Sequence, residues 1–550
     1  MRGQFRPPAV PAAGGIDVGA AAMRRDGPAA LAHGSAWRDP VTWAIAAAVL
    51  CAYSVISLLR LLRLSPSSYD LGIYVEYVKQ LSQLHAPVVD VLAPGFNLLG
   101  NHFQVAVAVF APFFRVFPSP ATLLIGQAAL AAVSVFPVTE AATAFAGRAS
   151  GRLIGFAYGF SWGLQQLVNF DFHEIALAVP LIAFSVSALV RRRPLAAIGW
   201  AMPLVFVEES QGFTAAAIGM LLVVSTGFPP PALGGWRASV PFLRAGFGTG
   251  PDGRYRDGRW GDGRVALWGG LFLVIWGMFW SVLAITVIIP HFNPSHVYYF
   301  FKDGGVVGDS QSLSLGGVIG QTGAHWQVKL TTTVMLLLPT AFAALGSPVA
   351  LVALPSLGLR FVSTNSVYWG TGWHYNATVM PILFIAAAEA TGRLRGWPGT
   401  RRAYRAARVA PALTRALGAA CGDIARHAGV MMAAIAVVVA VQFPLSSLWH
   451  ASTYRLDAHV AAADAAMAVV PDGATVQTNL DLLATLAART DTFWIGTPGN
   501  PLTRYVVFDN DDSGYSRPVT NVPAFIASLY PGAGYVQVFQ RDGVYVFRRG

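Results

Sequence analysis

One apolar run of residues after another, each about as long as a bilayer is thick, constrains this chain more than any other feature. Crossing hydrocarbon takes roughly 20 mostly apolar residues in a helix, because no water is there to satisfy an open backbone. Runs of that kind recur at 41–62, 121–145 and 265–289, with shorter ones between them. Only 12% of the 550 residues are charged, against about a quarter in a soluble domain. The chain therefore reads as an all-α polytopic membrane protein. Its net charge of +11 does not point to nucleic acid. The arginines cluster in short segments between apolar runs, where the positive-inside rule places them. Cys51 and Cys421 form no disulfide framework and no metal-type spacing. We find no internal repeat, P-loop or dinucleotide fingerprint.

Charge bias orders the spans. Residues 1–38, rich in Ala, Gly, Pro and Arg, read as a disordered cytoplasmic tail rather than a cleaved signal. The first span, 41–62, runs outward and ends at Arg60 and Arg63, which could snorkel or face an anionic ligand. An outer loop, 65–120, follows. In it, 71–84 predicts a surface helix, and 103–117, interrupted by Pro112, a juxtamembrane or re-entrant piece. Further spans are expected at 121–145, 153–168, 175–190, 195–207, 213–228, 265–289, 330–345, 349–362, 377–390 and 430–448. That makes about eleven in a transmembrane domain of 39–449. Loops 229–264 and 393–428 fall in the cytoplasm, and 290–328 outside. Residues 450–550 have ordinary polarity and predict a small α/β soluble domain on the outer face. It ends in a hairpin at 535–547 with Asp542-Gly543 at the turn.

This topology gathers Asp70, His102, Asp171, His173, Glu174, Glu208, Glu209 and His374 on the outer side. Ionisable groups at membrane depth are costly and usually mark a site or a wet cavity. Each also has a plainer reading. Asp70 could cap the helix that follows it. His102 could be an interface residue, and Glu174 could favour a helix start. His374, in W-G-T-G-W-H-Y (369–375), could belong to an aromatic belt. Of Glu208 and Glu209, one could face a cavity and the other the headgroups. The mixture of His and carboxylate could hold a divalent cation such as Mg or Mn through Asp70, His173 and Glu174, although no spacing here is diagnostic.

In combination, Y-D-L-G-I-Y (69–74), N-H-F with a following A-P (101–112), F-P-S-P (117–120), N-F-D-F-H-E (169–174), V-E-E (207–209) and W-H-Y-N-A (373–377) resemble a bacterial membrane family, domain of unknown function 2079. That family resembles the GT-C glycosyltransferases, which use polyprenyl-phosphate-linked sugars. The resemblance covers about 65–390 and implies a GT-C-like bundle with juxtamembrane helices in its first outer loop. It implies transfer of a sugar to a glycan, lipid or protein acceptor, with Asp70 as the base. Asp171 or Glu174 matches a second acid, and His102, His173, Glu208, Glu209, His374 and Tyr375 are expected to bind substrate. The leaving phosphate needs cations, for which Arg60, Arg63, Lys302, Lys329 and Arg360 are candidates. The rival readings are a transporter or flippase, and a non-catalytic envelope assembly protein.

Overall fold

The computed structural model describes residues 35–66, 68–226, 263–298, 315–396, 410–511 and 518–550. The tail 1–34, most of the loop 229–264, Lys302 and residues 397–409 lie outside the described residues.

Most of the chain is a bundle of helices. They are α1 (Pro40–Leu62), α2 (Asp70–Ser82), α3 (Ala111–Val116), α4 (Pro120–Ala146), α5 (Arg148–Gly159), α6 (Trp162–Asn169), α7 (Ala178–Val190), α8 (Pro194–Ala201), α9 (Gln211–Ser225), α10 (Gly263–Leu283), α11 (Trp326–Leu337), α12 (Leu354–Val362), α13 (Val379–Gly396) and α14 (Pro411–Ala440). Among the described residues, five helical stretches are long and apolar enough to cross a membrane. They are Pro40–Leu62, Pro120–Ala146, Gly263–Phe292, His374–Arg395 and Arg415–Ala440. The expected total of about eleven is not reached. Several of the runs counted toward it form helices of 10–17 residues, such as Glu174–Val190 and Gln211–Ser225. Another, 153–168, is broken at Phe160-Ser161 between α5 and α6. The last span also starts earlier than expected. The Ala-rich stretch before it stays helical despite its charges, so α14 takes in residues assigned to the loop 393–428.

Helix ends follow local chemistry. Pro120 opens α4 behind Ser119, whose hydroxyl accepts from the Ala121 N–H, and Gly147 at φ +79° closes it. Asp39, just before α1, takes both Arg152 (2.5 Å) and the Thr42 hydroxyl (2.9 Å), tying the start of α1 to α5. At the same end Arg191 meets Glu140 at 2.7 Å. α9 and α10 cross at glycines: a Cβ added to Gly270 would lie 2.7 Å from the Gly219 carbonyl oxygen. Only a residue without a side chain allows that approach.

The C-terminal part holds α15 (Ala458–Ala468), α16 (Leu480–Ala487), α17 (Val522–Leu529) and strands β1 (Thr475–Thr478), β2 (Asp491–Trp494), β3 (Tyr505–Asp509), β4 (Tyr535–Arg541) and β5 (Val544–Arg549). The sheet order is β2-β1-β3-β5-β4. β1 runs parallel to β2 and β3, while β5 runs antiparallel to β3 and β4. The β4–β5 hairpin turns at Asp542 (φ +44°) and Gly543 (φ +78°), the doubly positive turn that Asp-Gly favours. This part sits on α2. Gly72 lies under Leu483 of α16, Lys79 Nζ donates to the Thr490 carbonyl at 2.6 Å, and the Tyr69 and Trp494 rings are 5.9 Å apart.

Two substitutions test these contacts. Gly270→Val should push α9 from α10 and cost about 1–3 kcal/mol, seen as a lower melting temperature in detergent. Gly72→Val should loosen the seat of α16, read as faster amide exchange at 480–487 with the bundle unchanged.

Candidate active site

Where α2 begins, beside the C-terminal part, the helices leave a cavity of about 340 Å³, within the usual range for small-molecule sites. Asp70 is the first residue of α2 and lies on the cavity wall with Ile73 and Tyr74 of the next turn. The Asp70 N–H donates to Ser68 Oγ at 3.1 Å. The capping position is Tyr69, and no cap hydrogen bond forms from a side chain there. Burial raises the Asp70 carboxyl above the usual carboxylate range, against the pull of His173.

Glu208 and Glu209 part company. Glu208 faces the cavity and accepts from Ser210 Oγ at 2.9 Å and Gln211 Nε2 at 3.3 Å. Burial, then the neighbouring Glu209 charge, push it up to about 7. Glu209 turns inward. It takes His102 Nδ1 at 2.8 Å, the Tyr298 hydroxyl at 2.7 Å and the Phe103 N–H at 3.0 Å. Burial works against a charge on His102, but Glu209 outweighs it and raises His102 to about 10.

The D-F-H-E turn splits its residues. Asp171 is in the left-handed region (φ +83°), and its carboxylate meets Arg60 Nε at 3.4 Å, away from the cavity. Asp171 and Arg60 therefore do not join the main site, and Arg63 is exposed and does not line the cavity. His173 does line the cavity, with Nδ1 2.7 Å from Glu174 Oε2. Glu174 is fully buried and also accepts from the Tyr74 hydroxyl, which lies 2.9 Å from Gln104 Oε1. His374 is 1% exposed and stacks on His173, with ring centres 3.8 Å apart. Among the described residues, the donors that converge within 4.8 Å are His102, Glu208 and Glu209, not the expected set of Asp70, His173 and Glu174. Glu209 there is already taken up by His102, Tyr298 and Phe103.

Of the candidate cations, Arg360 of α12 borders the cavity. It is 6% exposed, with Nε donating to the Tyr368 carbonyl at 2.9 Å and Nη1 to that of Tyr375 at 3.3 Å. Nη2 has no partner. Lys329 sits elsewhere, 4.8 Å over the Trp369 ring. Tyr375 lines the cavity beside Tyr368, with ring centres 4.7 Å apart. Tyr74, Gln104, Tyr298 and Tyr368 escaped the sequence analysis, which weighted ionisable residues. Tyr74 was within reach, one helical turn after Asp70.

The model of a family described as a predicted membrane protein, DUF2079, matches residues 60–544. No curated protein matches the chain. Among solved structures, ArnT from Cupriavidus metallidurans bound to undecaprenyl phosphate is 13% identical. It aligns over 91% of this chain and 97% of its own at a TM-score of 0.45. The same protein in the apo state is 13% identical over 87% and 92%, at 0.41. The apo oligosaccharyltransferase of Archaeoglobus fulgidus is 11% identical over 92% and 74%, at 0.39. At these values the function has to be read from the site itself.

The His102–Glu209 pair sets a pH signature. His102 titrates higher folded, about 10, than at its ordinary 6.5. Its stabilisation is complete below about 6.5 and is lost as pH rises through 10. The melting temperature should fall across that window. Glu209→Gln should flatten the fall and cost about 3–5 kcal/mol overall. A mutant with the wild-type slope would clear His102 of any part in it.

Proposed function

The chain belongs to the DUF2079 family of predicted membrane proteins, and from that footing we propose that it is a membrane glycosyltransferase. It moves a sugar from a polyprenyl-phosphate donor to an acceptor hydroxyl. The observation that carries this reading is that Asp70 and Arg360 line the same cavity. A carboxylate of raised basicity is a proton acceptor suited to neutral pH. A buried guanidinium with its Nη2 unused, and no carboxylate paired with it among the described residues, is a seat for an anion brought from outside.

The chemistry follows. The donor phosphate rests against Arg360, whose orientation the Tyr368 and Tyr375 carbonyls fix. The sugar lies among Tyr74, His102 and Glu208. Asp70 takes the acceptor proton as the oxygen attacks the anomeric carbon. The bond from that carbon to the phosphate oxygen breaks, and Arg360 holds the charge left on phosphate. Inversion follows from a single displacement. The arginine bias between spans supports a cytoplasmic N-terminus, with the site and the C-terminal part on the outer face of the plasma membrane.

The test uses the full chain in nanodiscs with a polyprenyl-phosphate monosaccharide and reads donor binding and release of polyprenyl phosphate. Asp70→Asn should keep binding and lose about 10²–10⁴ in turnover. Arg360→Gln should weaken donor binding about ten- to a hundredfold, the worth of a charged hydrogen bond. Below its raised pKa, Asp70 carries a proton and cannot act, so turnover should rise with pH along an acid limb above the ordinary carboxylate range. No binding across a panel of donor sugars, or binding without release, would overturn the reading in favour of a scaffold or a transporter respectively.

A further inference from the structure

Glu174 and His173 form a unit that base chemistry at Asp70 leaves unused. Glu174 is completely enclosed, and its Oε2 lies 2.7 Å from His173 Nδ1. The ring of His173 is fixed on every side. Its backbone N–H donates to Gln127 Oε1 at 3.1 Å, its face stacks on His374, and the Tyr74 and Phe170 rings stand 5.9 and 5.7 Å away. Nδ1 lies at ion-pair distance from the carboxylate without forming a hydrogen bond to it, and Nε2 stands on the opposite edge of a ring that lines the cavity. A buried carboxylate this close to an imidazole favours the charged form of the ring. A residue serving only to bind sugar hydroxyls needs neither a dedicated buried carboxylate nor a clamped ring.

We propose that His173 is the proton donor to the departing phosphate oxygen, with Glu174 as its positioning residue. This rests on the glycosyl-transfer reading above and adds a second catalytic group to it. The step balances. The acceptor hydroxyl gives its proton to Asp70 and its oxygen bonds the anomeric carbon. The carbon–oxygen bond to phosphate breaks with its electron pair on that oxygen, which takes the proton from His173 Nε2. Polyprenyl phosphate leaves as the monoanion, Asp70 is an acid and His173 is neutral. Transfer of the Asp70 proton to His173 through water restores both groups for the next turnover. Asp70 and His173 share the cavity wall, and His173 is the cation that acts most strongly on Asp70.

The experiment uses His173→Gly in nanodiscs, with donor binding, polyprenyl phosphate release and added imidazole. The expected result is a loss of turnover of about a hundredfold or more, donor affinity within a few fold of wild type, and partial recovery with imidazole. A merely structural histidine gives no such rescue. Wild-type turnover in the variant overturns the proposal. So does a loss of donor binding in step with turnover, or a folded, donor-binding variant that imidazole leaves inactive. Should His173→Gly fail to fold, His173→Gln decides: a hundredfold loss at retained donor affinity supports the proposal, and near-wild-type turnover overturns it. A wild type that never turns over sinks the glycosyltransferase reading itself, whereas an active wild type beside an unaffected variant removes only His173.

Discussion

A charge inside an apolar bundle has to be answered by another charge or by water, and that requirement organises this protein. Asp39 is answered by Arg152, Asp171 by Arg60, Glu174 by His173 and Glu209 by His102. Apart from the neighbours His173 and Glu174, the pairs join segments that the apolar runs alone would leave free to slide. Asp39–Arg152 fixes the start of α1 against α5, and Asp171–Arg60 fixes its far end. Glu209 does more than pair, because its two oxygens gather an imidazole, a phenol and a backbone N–H from three separate segments. Buried Lys79, Lys329 and Arg360 donate instead to carbonyls. Of these three, Arg360 is the one that borders the cavity, where an anion from outside could answer it.

Much of this was legible in the sequence, and the rest was hidden for physical reasons. The apolar runs placed α1, α4 and α10 to within a few residues, because a bilayer demands length and leaves little choice of structure. Several runs counted as spans form shorter or broken helices, since hydropathy does not reveal where a helix breaks, as at Phe160-Ser161. Asp542-Gly543 announced its hairpin because the turn needs two positive φ angles. The site was half visible. Asp70, His102, His173, Glu208 and Tyr375 do share one cavity. Asp171, two residues from His173, faces elsewhere because a single left-handed φ turns the chain between them. Periodicity covers helices and strands, and neither Asp171 nor the Glu208-Glu209 pair lies in one. Arg360 stood among five equal candidates, since nothing in the order of residues says which of them a fold will bury.

α2 is the joint of the molecule. Its first residue is Asp70, Tyr74 one turn on reaches Glu174, and Gly72 and Lys79 carry the C-terminal part. One face of thirteen residues thus belongs to the cavity and another to the C-terminal sheet and helices.

That double use limits how the protein can be rebuilt. Soluble domains on membrane proteins are often pictured as modules to be exchanged, with a linker absorbing the mismatch. Here the seam runs through a helix whose first residue lines the cavity, so the domain and the cavity share a part. Replacing the domain with one from a distant relative means recutting the Gly72 and Lys79 face of α2, and every change of tilt made there is passed to Asp70. The two halves are under pressure to change together, and natural variation in one should be read only alongside the other.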